Sequence, residues 1–201
     1  IGNKTIYVFT GKDKNIDSET VQSFGDEWLK FNEFSDEDMQ IAGNQYFDIV
    51  PASIYTGKYV LDIGCGYHEF KGKINNLIGI DPYNDAADIH VKLLDHHPDE
   101  KYDATLALGS INFGSTDKVF AELEHAVNLC NPSAVMFFRV NPGLPHDEAD
   151  RPVGKNHSNW IYFYPWDANF IVNCAEQLNV DILDIKTDSH RGRIYFVWRT
   201  K

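Results

Sequence analysis

The sequence predicts an α/β protein built on a doubly wound, mostly parallel sheet with an antiparallel last strand. Two observations carry this. From Lys58 onward, short apolar runs alternate with helix-period patterns, and the chain closes on two apolar runs joined by the short link Asp188–Gly192. A third observation sets the scale. At 201 residues and 22.9 kDa, with 43% apolar and 24% charged residues, the chain suits one domain with a real core.

Each element has its own signal. Tyr59–Ile63, Leu77–Ile80, Ile89–Leu94 and Ala104–Leu108 are expected strands, the first three bounded by Asp or Gly. Thr116–Cys130 places Val119, Phe120, Leu123, Val127 and Cys130 on one face, which predicts a helix. Ala134–Val140 is a buried strand ended by Asn141-Pro142-Gly143. Pro165 suits the first position of a helix carrying Phe170, Ile171, Cys174 and Leu178. Val180–Ile185 and Arg193–Trp198 are then joined closely enough to pair antiparallel. That makes seven strands in all.

Residues 1–57 differ from residues 58–201. Asp17 to Asp38 holds eight acids against one base, Lys30, and within it Val21, Phe24, Trp28 and Phe31 form an apolar stripe at helical spacing. Ser35 and Asp38 resemble a capping box ahead of a second helix with Met39, Ile41, Tyr46 and Phe47, which Pro51 should end. These helices are expected to act as a lid on the domain that follows.

Composition removes several function classes. Eighteen Lys and Arg against 30 Asp and Glu give a net charge of −12, which disfavours nonspecific nucleic-acid binding by phosphate neutralisation. No run approaches the length of a membrane span, and no apolar leader opens the chain, so a cytoplasmic location without membrane association is expected. Three cysteines without a C-x-x-C pair point to a reducing compartment rather than a disulfide framework or a Cys-based zinc site.

The segment that carries chemistry is Tyr59-Val60-Leu61-Asp62-Ile63-Gly64-Cys65-Gly66, a buried strand running into a Gly-x-Gly turn. In open α/β sheets ligands bind at the carboxyl ends of strands, and glycines there let backbone come close to them. Asp81 ends the next strand, where a carboxylate can accept hydrogen bonds from ribose hydroxyls. Together these residues predict a nucleoside site. A dinucleotide fingerprint would need glycine at position 69, which is Glu69, so a pyrophosphate would meet a carboxylate. The P-loop motif does not occur.

These residues resemble the class I S-adenosylmethionine-dependent methyltransferases, in particular the small-molecule group with a Leu-Asp-Ile-Gly-Cys-Gly first motif. Tyr102–Leu108 is similar to that family's fourth-strand motif, Leu123–Val140 to its helix and fifth strand, and Trp28–Phe34 to a frequent N-terminal lid segment. The resemblance implies a seven-stranded Rossmann-like sheet, S-adenosyl-L-methionine as cofactor, and methyl transfer to a small-molecule acceptor by in-line displacement. It implies that Asp62, Gly64, Cys65 and Gly66 line the methionine end, that Asp81 with Pro82 holds the ribose, and that Asp95 with His96 meets the adenine. Leu108, Gly109 and Ser110 would complete the wall. The chain departs from the family at Tyr67 and His68, where small residues are usual. Asp62 and Asp81 are also only 19 positions apart, shorter than usual by about one helical turn. With Gly72 inside it, the first crossover should hold one or two helical turns.

Several residues keep two readings. Asp95-His96-His97 suits a metal by ligand type, or a surface turn before Pro98. His146, Asp147 and His157, in the long loop after the fifth strand, are the candidates for a general base, and equally solvated loop residues. Tyr162, Phe163, Tyr164 and Trp166 could stack on a substrate or pack beneath the next helix. Lys186, Arg191, Arg193, Arg199 and Lys201 could grip phosphate or carry solvated charge. Arg139, inside an apolar strand, calls for a partner. Nucleic-acid methylation and a non-catalytic scaffold of the same fold are the alternatives, and the nucleic-acid reading lacks its prolines at Ser110-Ile111-Asn112-Phe113.

Overall fold

The computed structural model describes residues 50–112, 115–140, 164, 166–187 and 193–201. Among these, six strands form one sheet: β1 (Val60–Ile63), β2 (Leu77–Ile80), β3 (Tyr102–Leu108), β4 (Cys130–Val140), β5 (Asp181–Thr187) and β6 (Ile194–Arg199). Three helices accompany them, α1 (Ala52–Tyr55), α2 (Thr116–Asn128) and α3 (Ala168–Gln177). The strand order is β2-β1-β3-β4-β6-β5, so two crossovers lead outward in opposite directions from β1 and β3. β2, β1, β3 and β4 are parallel neighbours, and β6 runs antiparallel to both β4 and β5. This is the mostly parallel, doubly wound arrangement with an antiparallel last strand that the alternation of runs predicts.

Strand alternation sorts the side chains into two cores. Leu61, Ile63, Met136 and Phe138 face α2 and α3, meeting Val119, Leu123, Ile171 and Cys174. Val60, Ala104, Leu106 and Phe137 face the other side, where Phe70 and Ile74 of the first crossover and Ile54 of α1 cover them. Both long helices are capped as their sequences allow. Ser115 accepts from the Lys118 amide at 3.3 Å, and Asp167 from the Phe170 amide at 2.8 Å. Helix α3 thus begins after Asp167, which places Pro165 outside it rather than at its first position.

Two expected elements take another form. Ile89–Leu94 is not a strand: Ile89 makes a single parallel bridge to Ile80, and Leu93–Asp95 closes into a 3-10 turn. Polar His90 and Lys92 interrupt this run, and Ile89 and Leu94 stay 40% and 39% exposed, so only Leu93 is buried in the core, with Val91 packed at its margin. The seventh strand is therefore reduced to one bridge. The crossover between β1 and β2 contains no helix, only successive turns with an isolated bridge between Lys71 and Ile74. Gly64, Gly66, His68, Gly72 and Asn76 all adopt left-handed backbone, with φ from 55° to 77°, which no helix accommodates. The lid segment Asp17–Phe34 and the second helix after Ser35 lie outside the described residues, as does all of 1–49.

The aromatic run before α3 is packing material where it is described. Trp166 is 2% exposed and meets Phe170 and Phe196, with Tyr164 edge-on to Trp166 and tilted against Phe170. Tyr162 and Phe163 lie outside the described residues. No helix among the described residues is long and apolar enough to cross a membrane.

Candidate functional site

Parallel strands β1, β2 and β3 end at one edge of the sheet, with Ile63 beside Ile80 and Asp62 beside Leu106. Whatever follows each strand is therefore gathered there. Gly64–Gly66 follows β1, Asp81 and Pro82 follow β2, and Gly109 and Ser110 follow β3. Nine of the residues singled out for cofactor binding meet at this edge: Asp62, Gly64, Cys65, Gly66, Asp81, Pro82, Leu108, Gly109 and Ser110.

Asp81 holds the edge together. Its Oδ2 accepts from the Gly66 amide at 3.1 Å, and its Oδ1 accepts from the Tyr83 and Asn84 amides at 2.8 and 3.0 Å. One carboxylate thus ties the turn after β1 to the turn after β2. A carboxylate offers about four lone-pair directions, and three are used among the described residues, leaving one on Oδ2 for a further donor.

The two glycines of the Gly-x-Gly turn serve different purposes. Gly64 has φ +65°, and a Cβ there would collide with Ser110 Cβ and lie 3.1 Å from Ser110 Oγ. Ser110 is drawn in because its hydroxyl donates to the Ile63 carbonyl at 2.5 Å. Gly64 is therefore required by the protein's own packing of β1 against the turn after β3. Gly66, at φ +55°, has nothing among the described residues within 4 Å of its Cβ position. The open side of the turn is at Gly66, and a ligand can approach its backbone there.

The site is acidic. Asp62 is 3% exposed, and burial, with the charges of Glu69 and Asp81, pushes its carboxyl up to about 8. Glu69 is also raised by burial, against the pull of Lys73 and Arg139. Arg139 lies near the carboxyl end of β4, 5% exposed, and its Nη1 donates to the Leu108 carbonyl at 3.4 Å. The buried arginine thus belongs to this edge, with Glu69 as its electrostatic counterpart. Burial raises the Cys65 thiol as well, and the surrounding carboxylates add to the effect, so it is held as a neutral thiol and not as a nucleophile.

Other singled-out residues lie elsewhere. Asp95 is exposed in the 3-10 turn. His96 is 5% exposed, with Nε2 2.9 Å from the Tyr102 hydroxyl. Tyr102 opens β3, about 20 Å along the strand from Leu108 at 3.3 Å per residue, so His96 sits toward the amino edge. His97 packs edge-on against His125, whose Nε2 lies 2.9 Å from the His96 carbonyl oxygen. The structure does not bring Asp95 or His96 to the edge where Asp81 lies. Among the described residues, no group of three or more His, Cys, Asp or Glu is placed to hold a metal ion. His146, Asp147 and His157 are outside the described residues. Three of the basic residues near the chain end form surface pairs, Arg199 with Asp181 at 3.2 Å, Lys186 with Asp184, and Lys201 with Asn179 at 2.8 Å, while Arg191 lies outside the described residues.

Sequence reasoning missed three contributors. His68, Gly79 and Asp88 interlock behind the Gly-x-Gly turn, where His68 packs on Gly79 and lies 3.4 Å from Asp88. The signal was present in His68 as a departure from the family pattern, but its partners are 11 and 20 residues away.

Comparison with solved structures matches this architecture. The magnesium protoporphyrin IX methyltransferase of Synechocystis PCC 6803, solved with bound S-adenosylmethionine, superposes with a TM-score of 0.66 at 15% identity, covering 94% of this chain and 100% of that one. The fold is that of the class I S-adenosylmethionine-dependent methyltransferases. The 1,6-didemethyltoxoflavin-N1-methyltransferase of Burkholderia thailandensis gives a TM-score of 0.65 at 14% identity, covering 92% of this chain and 86% of that one. The N-methyltransferase NodS of Bradyrhizobium japonicum gives 0.62 at 12%, covering 90% and 98%. No protein-family model and no curated protein matches the sequence.

Proposed function

We propose that this chain is a methyltransferase that binds S-adenosyl-L-methionine at the carboxyl edge and methylates a small-molecule acceptor. The observation that carries the reading is the junction of Gly66 and Asp81, where an open glycine backbone adjoins a carboxylate with one lone-pair direction left. The donor set fits the group. Asp81 and Glu69 supply carboxylate oxygens for a cationic ligand, the buried Asp62 beside them is held mostly protonated, Asp81 suits a ribose hydroxyl, and Pro82 and Leu108–Ser110 supply walls.

When bound, the cofactor supplies a methyl group on a sulfonium sulfur, open to in-line displacement. The residues of this chain then have to orient an acceptor and exclude water, because proximity provides much of the acceleration in such a transfer. Asp81 fixes the turn that presents Gly66. Burial holds the Asp62 carboxyl mostly protonated at neutral pH, so it can donate a hydrogen bond as well as accept one. A base is required only for an acceptor that arrives protonated, and His146, Asp147 and His157 are the proposed residues for it. The acidic lid of residues 1–57 is proposed to close over this edge. Fold relatives named for magnesium protoporphyrin IX and 1,6-didemethyltoxoflavin support an acceptor of small-molecule size. The net charge of −12 supports it over nucleic acid. Free thiols at Cys65, Cys130 and Cys174 suit the proposed cytoplasmic location.

Calorimetric titration with S-adenosylmethionine, S-adenosylhomocysteine, NAD and ATP tests the reading. Saturable binding of the first two, and weaker or no binding of the others, is expected. Preference for NAD or ATP overturns it.

A further inference from the structure

The crossover from Gly64 to Asn76 has neither a helix nor a strand to hold its shape, yet it presents the turn on which the proposed site depends. We propose that His68 and Asp88 are positioning residues that lock the Gly64–Gly66 turn in its ligand-binding form, in place of a crossover helix. The inference rests on the cofactor reading above.

The backbone, the packing and the ion contacts of His68 and Asp88 carry it. His68 has φ +57° and is 4% exposed, a backbone state that a side chain with a Cβ adopts at a cost and keeps only when its surroundings fix it. Its ring lies on β2. A Cβ at Gly79 would come within 2.5 Å of His68 Nε2 and 2.8 Å of Cys65 Sγ, so β2 has glycine where the crossover rests on the strand. Asp88 completes the lock. Its Oδ2 accepts from the Gly79 amide at 2.9 Å and lies 3.4 Å from His68 Nε2, while its Oδ1 accepts from Lys71 Nζ at 2.7 Å. One carboxylate beyond β2 therefore grips the strand and the crossover at two points. Asp81, two residues after Gly79, holds Gly66 from the same strand. The turn is fixed on one side by Asp81 and on the other by Asp88 through His68.

The charged and titratable groups facing His68 are Asp88 from the segment after β2, Lys71 from the crossover, and the neighbouring Cys65 thiol, with the Ala86 backbone alongside. Burial lowers the imidazole below its ordinary value and Lys71 adds to this, while Asp88 opposes it. The locked form thus contains a neutral His68. Acidification charges the ring and favours its release to solvent, which frees the turn.

The test uses S-adenosylhomocysteine as probe on the full chain, titrated between pH 5 and pH 8. Asp88→Asn is expected to weaken binding by about tenfold or more at pH 7.5, the loss of one charge-assisted contact. Gly79→Ala, which displaces the His68 ring, is expected to weaken it at least as much. Wild-type affinity should fall as pH drops below about 6.5, the ordinary histidine value. His68→Gln, which keeps an uncharged side-chain donor, should bind at pH 7.5 within a few-fold of wild type and lose that part of the acid dependence. A brace with no bearing on the site would leave the pH profile of His68→Gln identical to wild type, and that result overturns the proposal. So does wild-type affinity in folded Asp88→Asn and Gly79→Ala. If the wild-type chain itself binds no S-adenosylhomocysteine, the cofactor reading fails instead. The lock is then judged by hydrogen exchange over 64–74, which must quicken in Asp88→Asn for it to stand.

Discussion

Replacing Asp81 separates two tasks that one carboxylate performs. In the structure it accepts three backbone amides, from Gly66, Tyr83 and Asn84, at 2.8 to 3.1 Å. Hydrogen bonds to a charged group contribute about 1.5–3 kcal/mol each when no water replaces them. The residue is half-buried, so the freed amides are partly rehydrated, and Asp81→Ala should cost about 1–3 kcal/mol of stability. In a chain of this size that corresponds to a fall in Tm of roughly 2–12 °C. Loss of the ribose contact should weaken S-adenosylhomocysteine by about ten- to a hundredfold beyond any effect on folding. Asp81→Asn refines the experiment. Its oxygen can keep the Tyr83 and Asn84 amides, but its amide nitrogen then confronts the Gly66 N–H, donor against donor. It should retain most of the stability and still lose about tenfold in affinity. Thermal melts and calorimetric titration of the three proteins provide both numbers. Wild-type affinity in a folded Asp81→Ala would refute the reasoning and leave Asp81 as a loop anchor alone.

Further outcomes follow from the same geometry. Gly64→Ala should lower Tm sharply without any ligand, because its Cβ meets Ser110, whereas Gly66→Ala should cost only about 1–2 kcal/mol of backbone strain and yet abolish cofactor binding; melts and titrations that show the reverse order contradict the assignment of the open side. Asp62 has its carboxyl raised to about 8 in the folded chain, against 3.8 ordinarily, so the folded state holds the proton more tightly than the unfolded state. Its stabilising effect is complete below about pH 4 and is lost as pH rises to about 8, by on the order of 6 kcal/mol at most. Asp62→Asn should flatten that part of the Tm–pH curve, and parallel curves for the two proteins would rule the effect out. Saturating S-adenosylhomocysteine should slow hydrogen exchange in Asp17–Phe34 more than in Thr116–Cys130 if the N-terminal segment closes on the site. Unaltered exchange in Asp17–Phe34 makes it a permanent brace.

What was legible in the sequence was whatever local pattern alone decides. The strand and turn at Asp62–Gly66, the acid ending β2 and the helix at Thr116 are each read from neighbours a few residues apart, and all stand where expected. The gathering of Gly64–Gly66, Asp81 and Ser110 at one edge followed because parallel strands put their ends together, whatever lies between them. The errors have one cause. Ile89–Leu94 has the apolar content of a strand, but the shape there is set by the long-range ties of Asp88 to Gly79 and Lys71 and by the 3-10 turn that buries only Leu93. Asp95 and His96 went with that element, since a strand there would have carried them to the carboxyl edge. The reason for Gly64 was similarly hidden: the atom that excludes a side chain there is Ser110, 46 residues later, not a ligand. His68 looked like a departure from a family pattern, and only its contact with Gly79 gives the departure a purpose.

The most direct test of the central claim is a crystal structure of the full chain with S-adenosylhomocysteine. The account predicts the ligand at the carboxyl edge of β1, β2 and β3, with a ribose hydroxyl within about 3 Å of Asp81 Oδ2 and the chain of the amino acid passing the open side of Gly66. A ligand bound at the amino edge beside Tyr102, or at the carboxyl edge but out of reach of both Asp81 and Gly66, would contradict it.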